Sequence, residues 1–223
     1  MPASNHPAAT SRSPRADSAA TRERLLHSSL RLFSERGYEG TSVRAITDDA
    51  GVNLAAANYH FGSKQQLLQA TFQAALAPIN TERLRQLRTL QASDSPPDLT
   101  AIVRAFVEPV FLVSQHQYLP KLLANVFAES KEVAVPLLES TFGPTVEEFL
   151  RAFARVLPNV SAEDLQWRVH LMVGAMLQLA HFDRPLFPAG KASKRKRATE
   201  NVTAGLEQLV GFAVAGLQQG SDA

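Results

Sequence analysis

The chain reads as all-α, a short N-terminal three-helix unit followed by a larger helical domain. Three observations carry this. Apolar residues recur at helical spacing along most of the chain, and no alternating run is long enough for a strand. The stretch from Thr41 to Lys64, TSVRAITDDAGVNLAAANYHFGSK, is patterned as two short helices around a tight turn, followed at once by a third. Clusters of Pro, Gly, Ser and Asp then divide the remainder into further helical lengths.

Residues 1–20 are rich in Ala, Ser, Pro and Arg and lack apolar periodicity; the expectation is a disordered tail. A first helix is expected from Thr21 to Glu35, with Leu26, Leu30 and Phe33 as its core stripe and Gly37 as its stop. Val43, Ile46 and Ala50 fall at i, i+3 and i+7, so the next short helix has one apolar face. Gly51 ends it, and Asn53 is suited to N-cap the following helix, Leu54 to His60. That helix is too short to be stable alone. Ser63, with Gln66 in capping-box spacing, opens a longer one.

The longer helix carries Leu67, Leu68, Phe72, Leu76, Ile79, Leu84 and Leu87, enough length to join two domains, with Pro78 as a kink or break. A linker is expected over 92–98. Helices follow over Leu99–Ser114, Pro120–Lys131 and Pro136–Val156, the last interrupted at Gly143-Pro144. Ser161 and Asp164 cap a helix running to about Ala180. Residues 182–198 read as a loop, and Asn201–Gln218 as the last helix.

Composition excludes several function classes. The chain has 223 residues, 45% of them hydrophobic, enough to bury a core in one domain or two small ones. Nowhere is there an apolar run near membrane-spanning length. There is no cysteine, which removes thiolate chemistry and disulfides. No GxSxG, HExxH or phosphate-cradling glycine loop is present. An enzyme is therefore not expected, nor a cofactor or metal. Net charge is only +2, and five basic residues sit together between Lys191 and Arg197. Any nucleic-acid reading therefore rests on the motif.

Two short helices around a tight turn serve to push the second into the DNA major groove. The segment from Thr21 to about Leu68 resembles the N-terminal DNA-binding domain of the TetR family of bacterial transcriptional repressors. The matching features are Leu25-Leu26, Leu32-Phe33, the Gly37-Tyr38-x-Gly40-Thr41-Ser42-Val43 turn, Ala50-Gly51-Val52, His60-Phe61, Ser63-Lys64 and Leu67-Leu68. The family usually places a tyrosine five residues after the recognition-helix N-cap. Here Asn58 stands there and Tyr59 follows, an Asn-Tyr-His-Phe ending similar to a subgroup of the family. The implied organisation is a DNA-binding domain over 21–68 and a ligand-binding and dimerisation domain over 69–220. The implied function is a cytoplasmic, homodimeric regulator, most simply a repressor released from operator DNA by a small effector. An activator or dual regulator of the same fold is the alternative; a helical adaptor that no longer binds DNA is the rival of another class.

Phosphate contacts are expected from Thr41, Ser42, Tyr59, His60 and Lys64, because exposed N–H groups and hydroxyls suit an anion. For base reading, Arg44 suits guanine, Asn53 and Asn58 suit adenine, and Leu54, Ala55 and Ala56 can meet thymine methyls. Candidate effector-lining residues are Phe106, Phe111, Tyr118, Leu122, Phe127, Phe149, Trp167, Met172 and Met176, with Gln115, His116, Asn125, His170 and His181 as polar groups to orient a ligand. The aromatic and aliphatic bias points to a hydrophobic fatty-acyl or aromatic effector. The last two helices carry an apolar face wider than one core stripe, which implies a second buried surface. In the TetR family the corresponding helices form the dimer interface, and Val169, Val173, Gly174, Leu206, Leu209, Phe212, Ala213 and Gly216 are placed for it.

Overall fold

The computed structural model describes residues 14–93, 97–112, 118–182 and 198–219. Among them are nine helices and no strand: α1 (Pro14–Arg36), α2 (Val43–Ala50), α3 (Leu54–Phe61), α4 (Lys64–Gln91), α5 (Leu99–Leu112), α6 (Leu119–Ala128), α7 (Lys131–Val156), α8 (Ala162–His181) and α9 (Ala198–Gln218). The basic cluster Lys191–Arg197 lies outside the described residues.

The N-terminal unit forms as its caps dictate. The Ala45 N–H donates to Ser42 Oγ (3.1 Å), the Ala56 N–H to Asn53 Oδ1 (2.8 Å) and the Gln66 N–H to Ser63 Oγ (3.2 Å). Each bond satisfies one of the donors a helix start leaves unpaired. Between α2 and α3 the chain turns at Gly51 with φ 63°, a left-handed conformation that a side chain resists. Leu25, Phe33, Ile46, Ala57, Phe61 and Leu67 close the unit's core. The helical part of the chain begins earlier than expected. Residues 14–20, read as part of a disordered tail, belong to α1. Pro14 suits a first helical position, and Asp17 in the first turn complements the helix dipole.

α4 runs unbroken from this unit into the second domain, through Pro78. α7 likewise starts five residues before the expected Pro136 and passes Gly143-Pro144 without interruption. Pro78, Pro136 and Pro144 are all exposed, so water can serve the carbonyl that each leaves without a donor. α5 is the centre of the second domain, packed against α4, α7, α8 and α9. Ile102, Val103, Phe106 and Val107 on it are fully buried, and Arg104 forks onto Glu207 of α9 at 2.6 and 2.9 Å. Gly205 lets α9 approach α8 closely, since a Cβ there would lie 2.6 Å from Leu179.

A Cβ on Gly51 would meet nothing within 4 Å, so a substitution there isolates backbone strain. Gly51→Val should lower stability by about 1–2 kcal/mol, and Gly51→Asn by less, because asparagine tolerates the left-handed region. Chemical denaturation of both variants checks this.

Candidate nucleic-acid interface and internal cavity

The outer face of the helix-turn-helix is built from α3 and the starts of α2 and α4. On α3, Ala57 and Phe61 point inward, while Leu54, Ala55, Asn58 and Tyr59 are exposed and Ala56 is half-buried. Tyr59 stands out at 83% exposure, its ring edge-on to half-buried His60 at 5.2 Å. Asn53 has spent its side-chain oxygen on the Ala56 N–H and keeps its amide NH2. Arg44 is exposed on α2 without a partner among the described residues. Lys64 at the start of α4 lies over the Tyr38 ring, 4.2 Å from its centroid. Burial, with Glu39 and Glu129 nearby, pushes the Tyr38 phenol up, so the ring beneath the ammonium stays neutral.

One expected phosphate contact is overturned. Thr41 is 1% exposed, and its hydroxyl donates back to the Gly37 carbonyl at 2.8 Å. Successive residues of an extended segment face opposite ways, and only Ser42 of the pair faces outward. Thr41 fastens the turn after α1, and Ser42 faces outward as the N-cap of α2.

In the second domain, α4, α5, α6, α7 and α8 line a half-open cavity of about 310 Å³, within the range of small-molecule sites. Phe106, Phe127, Phe142, Leu150, Val173 and Met176 are among its apolar walls, and Arg83 of α4 joins them. Arg83 is 1% exposed. Its Nε donates to the Phe106 carbonyl (2.7 Å), Nη1 to Asn80 Oδ1 (3.3 Å) and Nη2 to Met176 Sδ (3.4 Å), with the guanidinium 4.2 Å from the Phe106 ring centroid. Burial pulls its pKa down to about 9, which leaves it charged at neutral pH. The polar residues at the cavity's exposed side are Gln166 and His170. A second apolar pocket adjoins it, sharing Phe127, His170, Val173 and Leu177.

Comparison with known proteins agrees with both halves. A family model described as "Bacterial regulatory proteins, tetR family" matches residues 25–71. One described as "Tetracyclin repressor-like, C-terminal domain" matches residues 104–216, half of the chain. The chain belongs to the TetR family. Among relatives of this TetR-family chain, the transcriptional regulator BetI of Agrobacterium fabrum is 34% identical over 82 residues, 37% of this chain and 39% of BetI. The repressor AcnR of Corynebacterium efficiens is 38% identical over 50 residues, 22% of this chain and 27% of AcnR. The chain thus matches well under half the length of these relatives. Among solved structures, NalD of Pseudomonas aeruginosa, described as the secondary repressor of the MexAB-OprM multidrug efflux pump, superposes with a TM-score of 0.65 at 20% identity, over 93% of this chain and 100% of NalD. That likeness speaks for the fold.

Three of the nine expected effector-lining residues, Phe106, Phe127 and Met176, lie on the wall of this cavity. Leu122 and Phe149 are core instead, and Phe149 packs edge-on against Phe106 at 5.0 Å. Phe111 and Tyr118 are half-buried away from the cavity. Trp167 is 62% exposed, and Met172 lies between α8 and α9 beside Phe212. Gln115 and His116 lie outside the described residues; His170 and His181 line the paired pockets. Arg83 was missed, although it continues the buried stripe Leu76, Ile79, Arg83, Leu87 at helical spacing.

The expected interface residues divide similarly. Val169, Leu206, Leu209 and Ala213 are buried within their own domain, and Val173 lines the cavity. Gly174, Phe212 and Gly216 are exposed, with Trp167 and Leu171 sharing their outward side of α8 and α9. A wide apolar face on a helix tells that two surfaces are covered but not which residues face which.

Asn125 does not reach the cavity. Its Nδ2 donates to the carbonyls of Phe33 (2.8 Å) and Ser34 (3.0 Å), at the end of α1. Beside it the Ser34 hydroxyl reaches the Tyr118 carbonyl at 3.0 Å, and the Tyr38 N–H donates to Glu129 Oε1 at 3.2 Å. α6 therefore grips the DNA-side unit with polar groups while Phe127 of the same helix lines the cavity. Asn125→Ala should cost about 1–3 kcal/mol, and amide exchange should accelerate over 33–38 before it does elsewhere.

Proposed function

We propose that the chain is a homodimeric transcriptional regulator that binds operator DNA and is released by a small hydrophobic effector held in the second domain. The observation that carries the reading is the outer face of α2 and α3, where an unpaired Arg44 and exposed Asn58 and Tyr59 flank a bare apolar helix start. Nothing in the folding of the unit calls for those side chains there. Repression is favoured because AcnR and NalD are described as repressors. The bacterial cytoplasm is the compartment in which such an operator is met. The Asn58–Phe61 ending assigns the chain to the Asn-Tyr-His-Phe subgroup.

On DNA, Ser42, Lys64, Tyr59 and His60 hold phosphates and set the register of α3. Arg44 reads a guanine, and Asn58 with the free amide of Asn53 reads adenine. With Leu54, Ala55 and Ala56 able to offer only apolar contact, DNA shape contributes the rest of the specificity. Two recognition helices must reach half-sites about 34–36 Å apart or a multiple of it. The exposed Trp167, Leu171 and Phe212 supply an apolar surface of the kind that marks an interface. An effector against Phe127 moves α6, which carries the end of α1 with it and changes the spacing of the two α3 helices. The coupling is then the differential affinity of the effector for the two spacings.

Arg44→Ala should reduce discrimination at one base position by about 1–3 kcal/mol, whereas Lys64→Ala should weaken all sequences alike. Uniform loss in both variants, measured by competition binding against single-base operator variants, would remove the base-reading role. Phe212→Glu should turn a dimer into a monomer by light scattering and lower operator affinity at least tenfold. A wild-type monomer that binds operator at full affinity would sink the dimer.

A further inference from the structure

Arginine is almost never fully buried without an acid beside it, because a charge taken out of water needs a counter-charge. Arg83 is such a case. Its acceptors are a carbonyl, an amide oxygen and a thioether, and no carboxylate pairs with it among the described residues. A guanidinium has five N–H groups, so two find no acceptor among the described residues. The thioether is itself a weak acceptor and belongs to the cavity wall. In the same cluster, Asn80 Nδ2 donates to the Thr141 carbonyl at 3.1 Å, while the Thr141 hydroxyl is buried with no partner. The junction of α4, α5 and α7 thus holds, among the described residues, a cation without a counter-charge on the cavity wall, linked through Asn80 to Thr141, whose hydroxyl is unused.

We propose that the effector is a hydrophobic organic acid whose carboxylate pairs with Arg83 on the cavity wall. Its tail runs past Phe127 and Leu177 into the adjoining apolar pocket, toward the exposed side. The planar guanidinium fork matches a carboxylate in two parallel bonds, and flexible Met176 can yield its place. A neutral thioester leaves the charge unanswered, and an amine would meet a like charge. This rests on the reading that the cavity holds the effector, and it names that effector's head group.

The test uses the full-length protein, calorimetric titration, and decanoate, decanol and decylamine as probes. Wild type should bind decanoate at least tenfold tighter than decanol and should not bind decylamine. Arg83→Met should bring decanoate down to the decanol level while decanol binding persists, which also reports an intact cavity. Arg83→Lys should retain part of the preference. Acid preference lost in His170→Phe but kept in Arg83→Met would place the anion at the mouth and overturn the proposal. Equal binding of acid and alcohol by wild type, or binding of neither, overturns it without any variant having to fold. The regulator reading is checked apart, by selecting binders from random duplex DNA. Acid preference without DNA binding defeats that reading alone, and DNA released equally by acid and alcohol defeats the Arg83 proposal alone.

Discussion

The two halves of the molecule depend on how the C-terminal end of α1 is completed. A helix leaves its last four carbonyls without intrahelical donors, and an end buried against another domain cannot leave them to water. Here the Phe33 carbonyl takes the Gly37 N–H (3.0 Å) and Asn125 as a second donor, the Ser34 carbonyl receives Asn125, and the first N–H beyond Gly37 goes to Glu129. Asn125 and Glu129 both belong to the α6 region, so the Ser34 carbonyl and the Tyr38 N–H keep these bonds only while α6 stays in place. α4 is the other link, one continuous helix with Lys64 at the DNA face and Arg83 in the cavity. A displacement of either helix by a ligand must therefore be shared with the helix-turn-helix.

Much of the N-terminal unit was legible because its determinants are local. Gly51, Asn53 and Ser63 each act within four residues of themselves, and their roles follow from residue type and position. The second domain was legible as a set of helices but less so in its facing. Pro136 and Gly143-Pro144 read as breaks, yet a proline on the exposed side removes one bond that water replaces, and α7 continues. Val169 and Phe212 are both apolar on adjacent helices, and only tertiary packing decides that one is core and the other exposed. Asn125 read as a polar group inside an apolar run, which it is; that its partner is the end of another helix 91 and 92 positions away has no local signature.

Arg83 shows the same limit from the other side. A charge in a helical pattern ordinarily reads as solvated, and the stripe Leu76, Ile79, Arg83, Leu87 holds the contrary signal. Its surroundings explain how the charge is tolerated without an acid among the described residues. Pro109 lacks an N–H, so the Ala105 carbonyl loses its usual donor, and Arg83 bonds the next carbonyl, that of Phe106. The Phe106 ring accepts the guanidinium face, and Phe149 holds that ring edge-on from behind. These contacts hold the cation in one orientation without neutralising it. A salt bridge within the chain would have closed the site, since a paired guanidinium offers a ligand no gain in exchange for displacing its acid. Leaving the charge fixed and unneutralised keeps the cavity responsive to an anion, and the α4 helix that bears it runs directly to the DNA face.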